Sequence, residues 1–220
     1  MKRVVRMYNA DDLYKLLLQD VDDIDASLLD CVRVLKGELV YDVGDLADNL
    51  WVLLSGKVRV SRRVASGVEV TRAIYVRGDF FGMKALLFGS EEHDECAVAT
   101  SDSVLCKIPL ECVQRGVKED PSFAKALNVI IHKRYEKAER RADILHCSDI
   151  HCRVREFIYS LSAEFGTEFH GGVLINHPYT QNEIAQLLGT SRPTVNKVLK
   201  SLESNEEISF NRKRIVLLKR

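Results

Sequence analysis

Between Thr180 and Lys200 the chain carries side chains whose types and order suit the reading of a nucleic-acid duplex. Arginine, lysine and asparagine can hydrogen-bond base edges, whereas serine and threonine hydroxyls suit phosphate oxygens. The candidate contacts are Thr180, Ser191, Arg192, Pro193, Thr194, Asn196 and Lys197. Such residues read DNA only if a rigid scaffold holds them on one edge.

The surrounding residues predict that scaffold. Thr180 and Glu183 form a T-x-x-E capping box, which starts a helix. Ile184, Leu187 and Leu188 give it an apolar face, and Ala185 is small enough for a second helix to cross closely. Gly189 stands where a sharp turn needs positive φ. Ser191 then caps a second helix and Pro193 fits its first turn, where backbone N–H groups have no intrahelical partner. Val195, Val198, Leu199 and Leu202 form its inner face, which leaves Arg192, Thr194, Asn196, Lys197 and Lys200 for the other faces. The pattern is a helix-turn-helix, with an ordinary helical hairpin inside a core as the competing reading. Downstream, the β-prone runs Ile208–Phe210 and Ile215–Leu218 flank Asn211-Arg212-Lys213-Arg214. This predicts a winged helix, with Arg212 and Lys213 at a cationic tip that neutralises phosphate. Lys219 and Arg220 add to the basic end.

Bulk properties narrow the class. The chain has 220 residues and a formal net charge of zero, so it is no general polyanion binder. Its charge is segregated, with acids at Asp11, Asp12, Asp20, Asp22, Asp23, Asp25 and Asp30 and bases toward the tail. No run is apolar and long enough to span a bilayer, and Met1-Lys2-Arg3 leads into no signal-peptide core. A cytoplasmic location follows as the expectation. Six cysteines without a C-x-x-C pair then read mostly as small buried residues. No G-x-S-x-G, P-loop or H-E-x-x-H motif is present, so nothing points to an enzyme.

The first half predicts β-structure. Trp51–Leu54, Val58–Val60, Val68–Thr71, Phe80–Phe81, Val98–Ala99 and Val104–Ile108 are short strands between glycine turns, as in a small roll. Ala10–Gln19 reads as a short helix. After Asp120-Pro121-Ser122, Leu127, Ile131, Tyr135, Ala138, Ala142 and Leu145 recur at helical steps, opposite Lys133, Arg134, Glu136, Lys137, Glu139, Arg140 and Arg141. Such a stripe predicts a dimer seam, packing onto the same chain's roll being the other use for it. The expected fold class is α+β, with a jelly-roll-like β-roll over 1–120, a long dimerisation helix over 121–147 and a winged helix-turn-helix domain over 148–220. His146, Cys147, His151 and Cys152 form a local cluster beside the helix end. It could hold a metal or act as a thiol switch, although its spacing matches no standard zinc pattern and the cysteines could be core.

This arrangement resembles the CRP/FNR family of bacterial transcription regulators over nearly the whole chain. Val43-Gly44-Asp45, Leu54-Ser55-Gly56-Lys57-Val58 and Gly78-Asp79-Phe80-Phe81-Gly82 match its glycine turns, and Ile184-Ala185 through Thr190–Val195 match its helix-turn-helix. The resemblance implies a homodimer on a two-fold symmetric operator, contact with RNA polymerase, and base reading at Arg192, Pro193 and Lys197. It also places an effector pocket at Gly82, Met83, Lys84, Glu95 and Cys96. The cAMP-binding members have glutamate after F-x-G and an Arg-Ser or Arg-Thr pair for the cyclic phosphate. Here Met83-Lys84 and Glu95-Cys96 stand at those places, and a carboxylate repels a phosphate. The expectation is therefore that cAMP is not the effector. An iron–sulfur cluster is also not expected, because Cys31 stands alone near the start. The effector is left open, and so is the alternative of a cyclic-nucleotide-binding-like module acting through protein partners.

Overall fold

The computed structural model describes residues 30–84, 92–211 and 214–218. The helix expected at Ala10–Gln19, the wing-tip residues Arg212 and Lys213, and the terminal Lys219 and Arg220 lie outside them.

The chain forms two units, divided between Lys133 and Arg134. The division falls inside a long helix, whereas the sequence placed boundaries at 120/121 and 147/148. In the first unit eight strands are described: β1 (Asp30–Val34), β2 (Leu39–Tyr41), β3 (Asn49–Ser55), β4 (Val58–Arg63), β5 (Glu69–Tyr75), β6 (Phe80–Phe81), β7 (Cys96–Ala99) and β8 (Ser103–Pro109). They pair antiparallel in two sheets, ordered β1-β8-β3-β6 and β2-β7-β4-β5. This is the expected β-roll. β1 and β2 are additional to the strands anticipated from the sequence.

Strand alternation sends Leu53, Leu105, Val58, Val60, Ala97 and Ala99 into one core, where Phe81 is fully buried. The ring of Phe81 lies 5.0 Å from Tyr75 and 6.3 Å from Trp51. Leu50, Val52, Cys106 and Ile108 enter a second core, covered by α1 (Leu110–Glu119) and the start of α2 (Pro121–His146). The sequence did not announce α1. Its Gly116 fits against Phe123, and a Cβ there would come within 2.9 Å of the ring.

Leu127 lies in this second core, and Ile131 packs partly against it. The apolar stripe of α2 therefore has two uses. Its N-terminal end belongs to the roll of its own chain, which takes Leu127 out of the expected dimer seam. Tyr135, Ala138, Ala142 and Leu145 remain exposed.

The second unit holds the rest of α2, then α3 (Ile150–Phe165), β9 (Gly166–Phe169), β10 (Gly172–Ile175), α4 (Gln181–Leu187), α5 (Arg192–Ser204), β11 (Ile208–Phe210) and β12 (Ile215–Leu218). Its antiparallel sheet runs β11-β12-β10-β9. Asp149 caps α3 by accepting from the Cys152 N–H at 2.9 Å. Val154, Phe157, Ile158 and Leu161 bury the inner face of α3. β9 was not expected, since every residue in it is exposed and no alternation marks it.

The turn between β3 and β4 allows a direct test. Gly56 has φ of +90°, and a Cβ there would sit 2.3 Å from Ser103 Oγ and 2.4 Å from the Asp102 carbonyl oxygen. The same hydroxyl accepts from the Lys57 N–H at 3.1 Å. Gly56→Ala should destabilise the first unit by roughly 3 kcal/mol, from left-handed strain plus the clash. The chain's single tryptophan, Trp51, lies in this unit, so urea unfolding followed by its fluorescence reports the loss.

Candidate nucleic-acid interface

The helix pair begins as its sequence dictates. The Glu183 N–H donates to Thr180 Oγ1 at 3.2 Å, and the Thr180 N–H donates to Glu183 Oε2 at 2.7 Å. This reciprocal box occupies two donors that no helical carbonyl can reach. Ile184, Ala185, Leu187 and Leu188 are buried. At Gly189 φ is +64° and a Cβ would meet nothing within 4 Å, so backbone conformation and not crowding calls for glycine. The Thr190 N–H closes the turn on the Ala185 carbonyl at 2.9 Å.

Ser191 then caps α5, its Oγ accepting from the Thr194 N–H at 3.2 Å and lying 2.8 Å from Thr194 Oγ1. Pro193 sits in the first turn, and Val195, Val198, Leu199 and Leu202 are buried. That burial turns Arg192, Pro193, Lys197 and Lys200 outward, exposed, with Thr194 and Asn196 half-buried beside them. The hydroxyls of Thr180, Ser191 and Thr194 thus carry structural hydrogen bonds already. The side chains of Arg192, Lys197 and Lys200 project from a rigid edge.

Other residues steady this pair through contacts that lie far apart in the sequence. Arg141 Nε donates to the Leu187 carbonyl oxygen at 3.1 Å, satisfying an acceptor at the end of α4. Lys137 pairs with Glu164 at 2.7 Å, tying α2 to α3, and Ile144 is buried. The sequence placed Lys137 and Arg141 opposite the apolar stripe, where each makes a contact within the second unit. Ahead of α4, the Tyr179 ring meets Phe157 and Phe165, each with centroids 6.2 Å away, and stacks on His177 at 6.4 Å. His177 is buried, and its Nδ1 has no hydrogen-bond partner. Burial holds this imidazole below its ordinary value, against the opposing effects of a hydrogen bond at the Tyr179 backbone and the charge of Glu183. At the wing, the Asn211 N–H donates to the Arg214 carbonyl oxygen at 2.9 Å, and the Arg214 N–H donates to Asn211 Oδ1 at 3.1 Å.

In the first unit the expected effector residues are only partly gathered. Gly82 has φ of +82° and packs beneath Asn49 and Trp51. Met83 is buried in the core, 2% exposed. Lys84 Nζ donates to both Asp94 oxygens, at 2.5 and 2.8 Å, and lies 4.0 Å from the buried Glu95 carboxylate. Arg62 adds a 3.3 Å contact to Asp94. The Lys84 hydrogen bond holds the Asp94 carboxyl below the usual range. Cys96 is half-buried, and burial, with Asp42 nearby, pushes its thiol up. Among the described residues no group of three or more histidine, cysteine or acidic side chains is placed to hold a metal ion, and His146, Cys147, His151 and Cys152 are not gathered into one. Among the described residues, no helix is long and apolar enough to cross a membrane.

A β-roll followed by a helix-turn-helix and a short sheet defines a class: a sensor-type module joined to a DNA-reading one. Comparison with known proteins agrees for both parts. Residues 31–120 match the Cyclic nucleotide-binding domain, and residues 152–220 match the Crp-like helix-turn-helix domain. The chain is 32% identical over 168 residues to the Cyclic AMP receptor protein of Thermus thermophilus, covering 76% of this chain and 74% of that one. It is 28% identical over 183 residues to the Global nitrogen regulator of Synechococcus elongatus, covering 83% of this chain and 82% of that protein. The fold is also that of FixK2 from Bradyrhizobium japonicum, with a TM-score of 0.71 at 21% identity, over 87% of this chain and 93% of that one. The chain belongs to the CRP/FNR family and is a DNA-binding transcription regulator.

The unpaired His177 Nδ1 makes the second unit sensitive to acid. Its imidazole binds a proton less readily in the folded chain than in the unfolded one, where the ordinary value is about 6.5. The stability it preserves is present above that value and is lost as pH falls through the lowered folded one. An NMR titration should place the His177 midpoint below about 6.5, and His177→Phe should lessen the fall in thermal midpoint between about pH 7.5 and about pH 5.5, which lie on either side of the ordinary value. A midpoint at or above that value would refute the burial argument.

Proposed function

We propose that the protein acts in the cytoplasm as a homodimer on a two-fold symmetric operator, with α5 in the major groove of each half-site. The observation that carries this reading is the exposed edge of Arg192, Pro193, Lys197 and Lys200, backed by a fully buried opposite face. Arg192 and Lys197 reach base edges. Pro193 withholds a polar contact between them, which alters the base preferred there. Thr180, Ser191 and Thr194 lie close to phosphates, with Asn196 at the groove wall and Arg212 and Lys213 of the wing along the backbone. Engagement of RNA polymerase is part of this reading and rests on family membership alone.

The dimer forms along the exposed part of α2: Tyr135, Ala138, Ala142 and Leu145, continuing from the half-buried Ile131. Ala138 and Ala142 let two helices approach closely, and a seam of this kind sets the separation of the recognition helices. The signal enters at the β-roll or at the turn after α2. cAMP is a poor fit to the roll, because Lys84 is already paired with Asp94 and the buried Glu95 would face a phosphate.

Two variants test the reading. Genomic fragments retained by the protein supply the DNA, and affinity is read by fluorescence anisotropy at fixed salt. Arg192→Ala should weaken binding by about 1–3 kcal/mol and relax one operator position. Unchanged affinity and selectivity would remove Arg192 from the interface. Ala142→Glu places a charge against its own symmetry mate. Light scattering should show a shift toward monomer with loss of fragment binding, and a dimer that persists at micromolar concentration would refute the seam.

A further inference from the structure

In its second half α2 carries two distinct faces. Tyr135, Ala138, Ala142 and Leu145 are exposed on one. Lys137, Arg141 and Ile144 lie about a third of a turn away, at about 100° per residue. This other face is bonded to the second unit from within the same chain. Arg141 Nε donates to the Leu187 carbonyl oxygen at 3.1 Å, and Lys137 Nζ lies 2.7 Å from Glu164 Oε1 on α3. Leu187 is buried and is the last residue of α4, so no further helical turn donates to its carbonyl. Arg153 of α3 makes the reciprocal contact, its Nε donating at 3.1 Å to the Cys147 carbonyl oxygen just past α2. All of these residues lie between Arg134 and Arg220, inside one unit. Gly189, whose turn sets the crossing of α4 and α5, follows Leu187 by two residues.

We propose that Arg141 is a positioning residue for DNA reading: by bonding the Leu187 carbonyl it locks the helix pair to the second half of α2, and so fixes the half-site separation that the protein accepts. Arginine suits this task. Its guanidinium stays charged, its Nε–H points in a fixed direction, and a charge-assisted hydrogen bond is stronger than one between neutral groups. The bond is part-buried, where water competes poorly. The Lys137–Glu164 pair is more exposed, at 45% and 33%, and adds little by itself. Arg141 acts on α5 through the end of α4. With a seam on one face of α2 and the helix pair locked to another, the helix becomes a lever. Two levers joined along their seams hold the two copies of α5 at one separation. One added base pair moves a half-site by about 3.4 Å and turns it by about 35°. A rigid lever cannot follow that displacement, and a loosened one can.

The consequence for DNA rests on the dimer and the interface proposed above, whereas the lock itself does not. Three full-length variants are compared with the parent chain. Arg141→Met keeps the aliphatic stem and removes the donors. Arg141→Lys keeps a charged donor. Arg140→Met removes the same charge one residue away, where the side chain is exposed and pairs with Glu136 at 3.6 Å. The lock is read without DNA, by hydrogen exchange at the Leu188 and Thr190 amides, which close the end of α4 on the Ile184 and Ala185 carbonyls. Exchange there should quicken by about tenfold in Arg141→Met and stay unchanged in Arg140→Met. Unchanged exchange in Arg141→Met overturns the lock. The lever is read on synthetic duplexes carrying the half-sites found in the retained genomic fragments, at their native separation and with one or two base pairs inserted. The ratio of affinities for native and lengthened duplexes does not depend on the fraction of protein that is folded. In Arg141→Met that ratio should shrink by about fivefold or more, with Arg141→Lys in between and Arg140→Met like the parent. Light scattering should show the same dimer throughout. A parent-like ratio in Arg141→Met, even with weaker binding overall, overturns the positioning role, and so does a loss of the dimer. If the parent chain itself retained no fragment, the DNA interface would fail and the spacing role with it, and hydrogen exchange would still decide the lock.

Discussion

The edge proposed to read DNA exists because one face of α5 is buried. Val195 and Leu202 are fully inaccessible, and Val198 and Leu199 nearly so. Burying each such side chain contributes about 1.5–3 kcal/mol, so the four together fix the rotation of the helix about its axis. At 3.6 residues per turn, that rotation decides what faces outward: Arg192, Pro193, Lys197 and Lys200. The caps at Thr180 and Ser191 then fix where each helix starts, and the Gly189 turn fixes their crossing. A charged residue at Val195 or Leu202 would disturb DNA reading without touching a base. The interface is thus a by-product of the core behind it.

α2 shows how one periodic stripe can have two owners. Its first turns are pinned in the roll by Phe123, Ala126 and Leu127, and its later turns are held in the second unit by Ile144, Lys137 and Arg141. A period near 3.6 states only that a face is apolar. It does not state whether the covering surface comes from the same chain or from another copy. The distinction appears only residue by residue, with Leu127 covered and Tyr135, Ala138, Ala142 and Leu145 not. The small alanines amid larger side chains fit a helix–helix approach better than a solvated face.

What the sequence made legible was local chemistry. The capping box, the Ser191 cap, the positive φ at Gly189 and the buried face of α5 each follow from residues within a few positions of one another. The glycine turns of the roll were legible for the same reason. What stayed hidden depends on distant partners. Arg141 reads as one more surface cation until the Leu187 carbonyl, 46 residues on, is seen to need a donor. Gly116 argues against a helix until Phe123 is found pressed against it. β9 is an exposed edge strand with no alternation, and β2 is only three residues long. Met83 matches a pocket position by its place after Phe81-Gly82, but its apolar side chain follows the core. Position along a motif does not set side-chain direction.

The cluster of Lys84, Arg62, Asp94 and Glu95 sets the terms for any ligand of the roll. The Lys84–Asp94 and Arg62–Asp94 pairs are well exposed, so each contributes only about 0–1 kcal/mol and a competing ligand could displace it cheaply. Glu95 is different. Its side chain is 5% exposed, and its nearest described cation, Lys84, lies at 4.0 Å. An anion that drew Lys84 away would leave that buried carboxylate without its partner and beside a second negative charge, and breaking a buried pair costs far more than breaking a surface one. On the reading proposed above, the arrangement would disfavour compact anions such as a cyclic phosphate through the carboxylate they would expose. A ligand that leaves Lys84 in place, or brings its own positive charge or hydrogen-bond donors to Glu95, meets no such barrier.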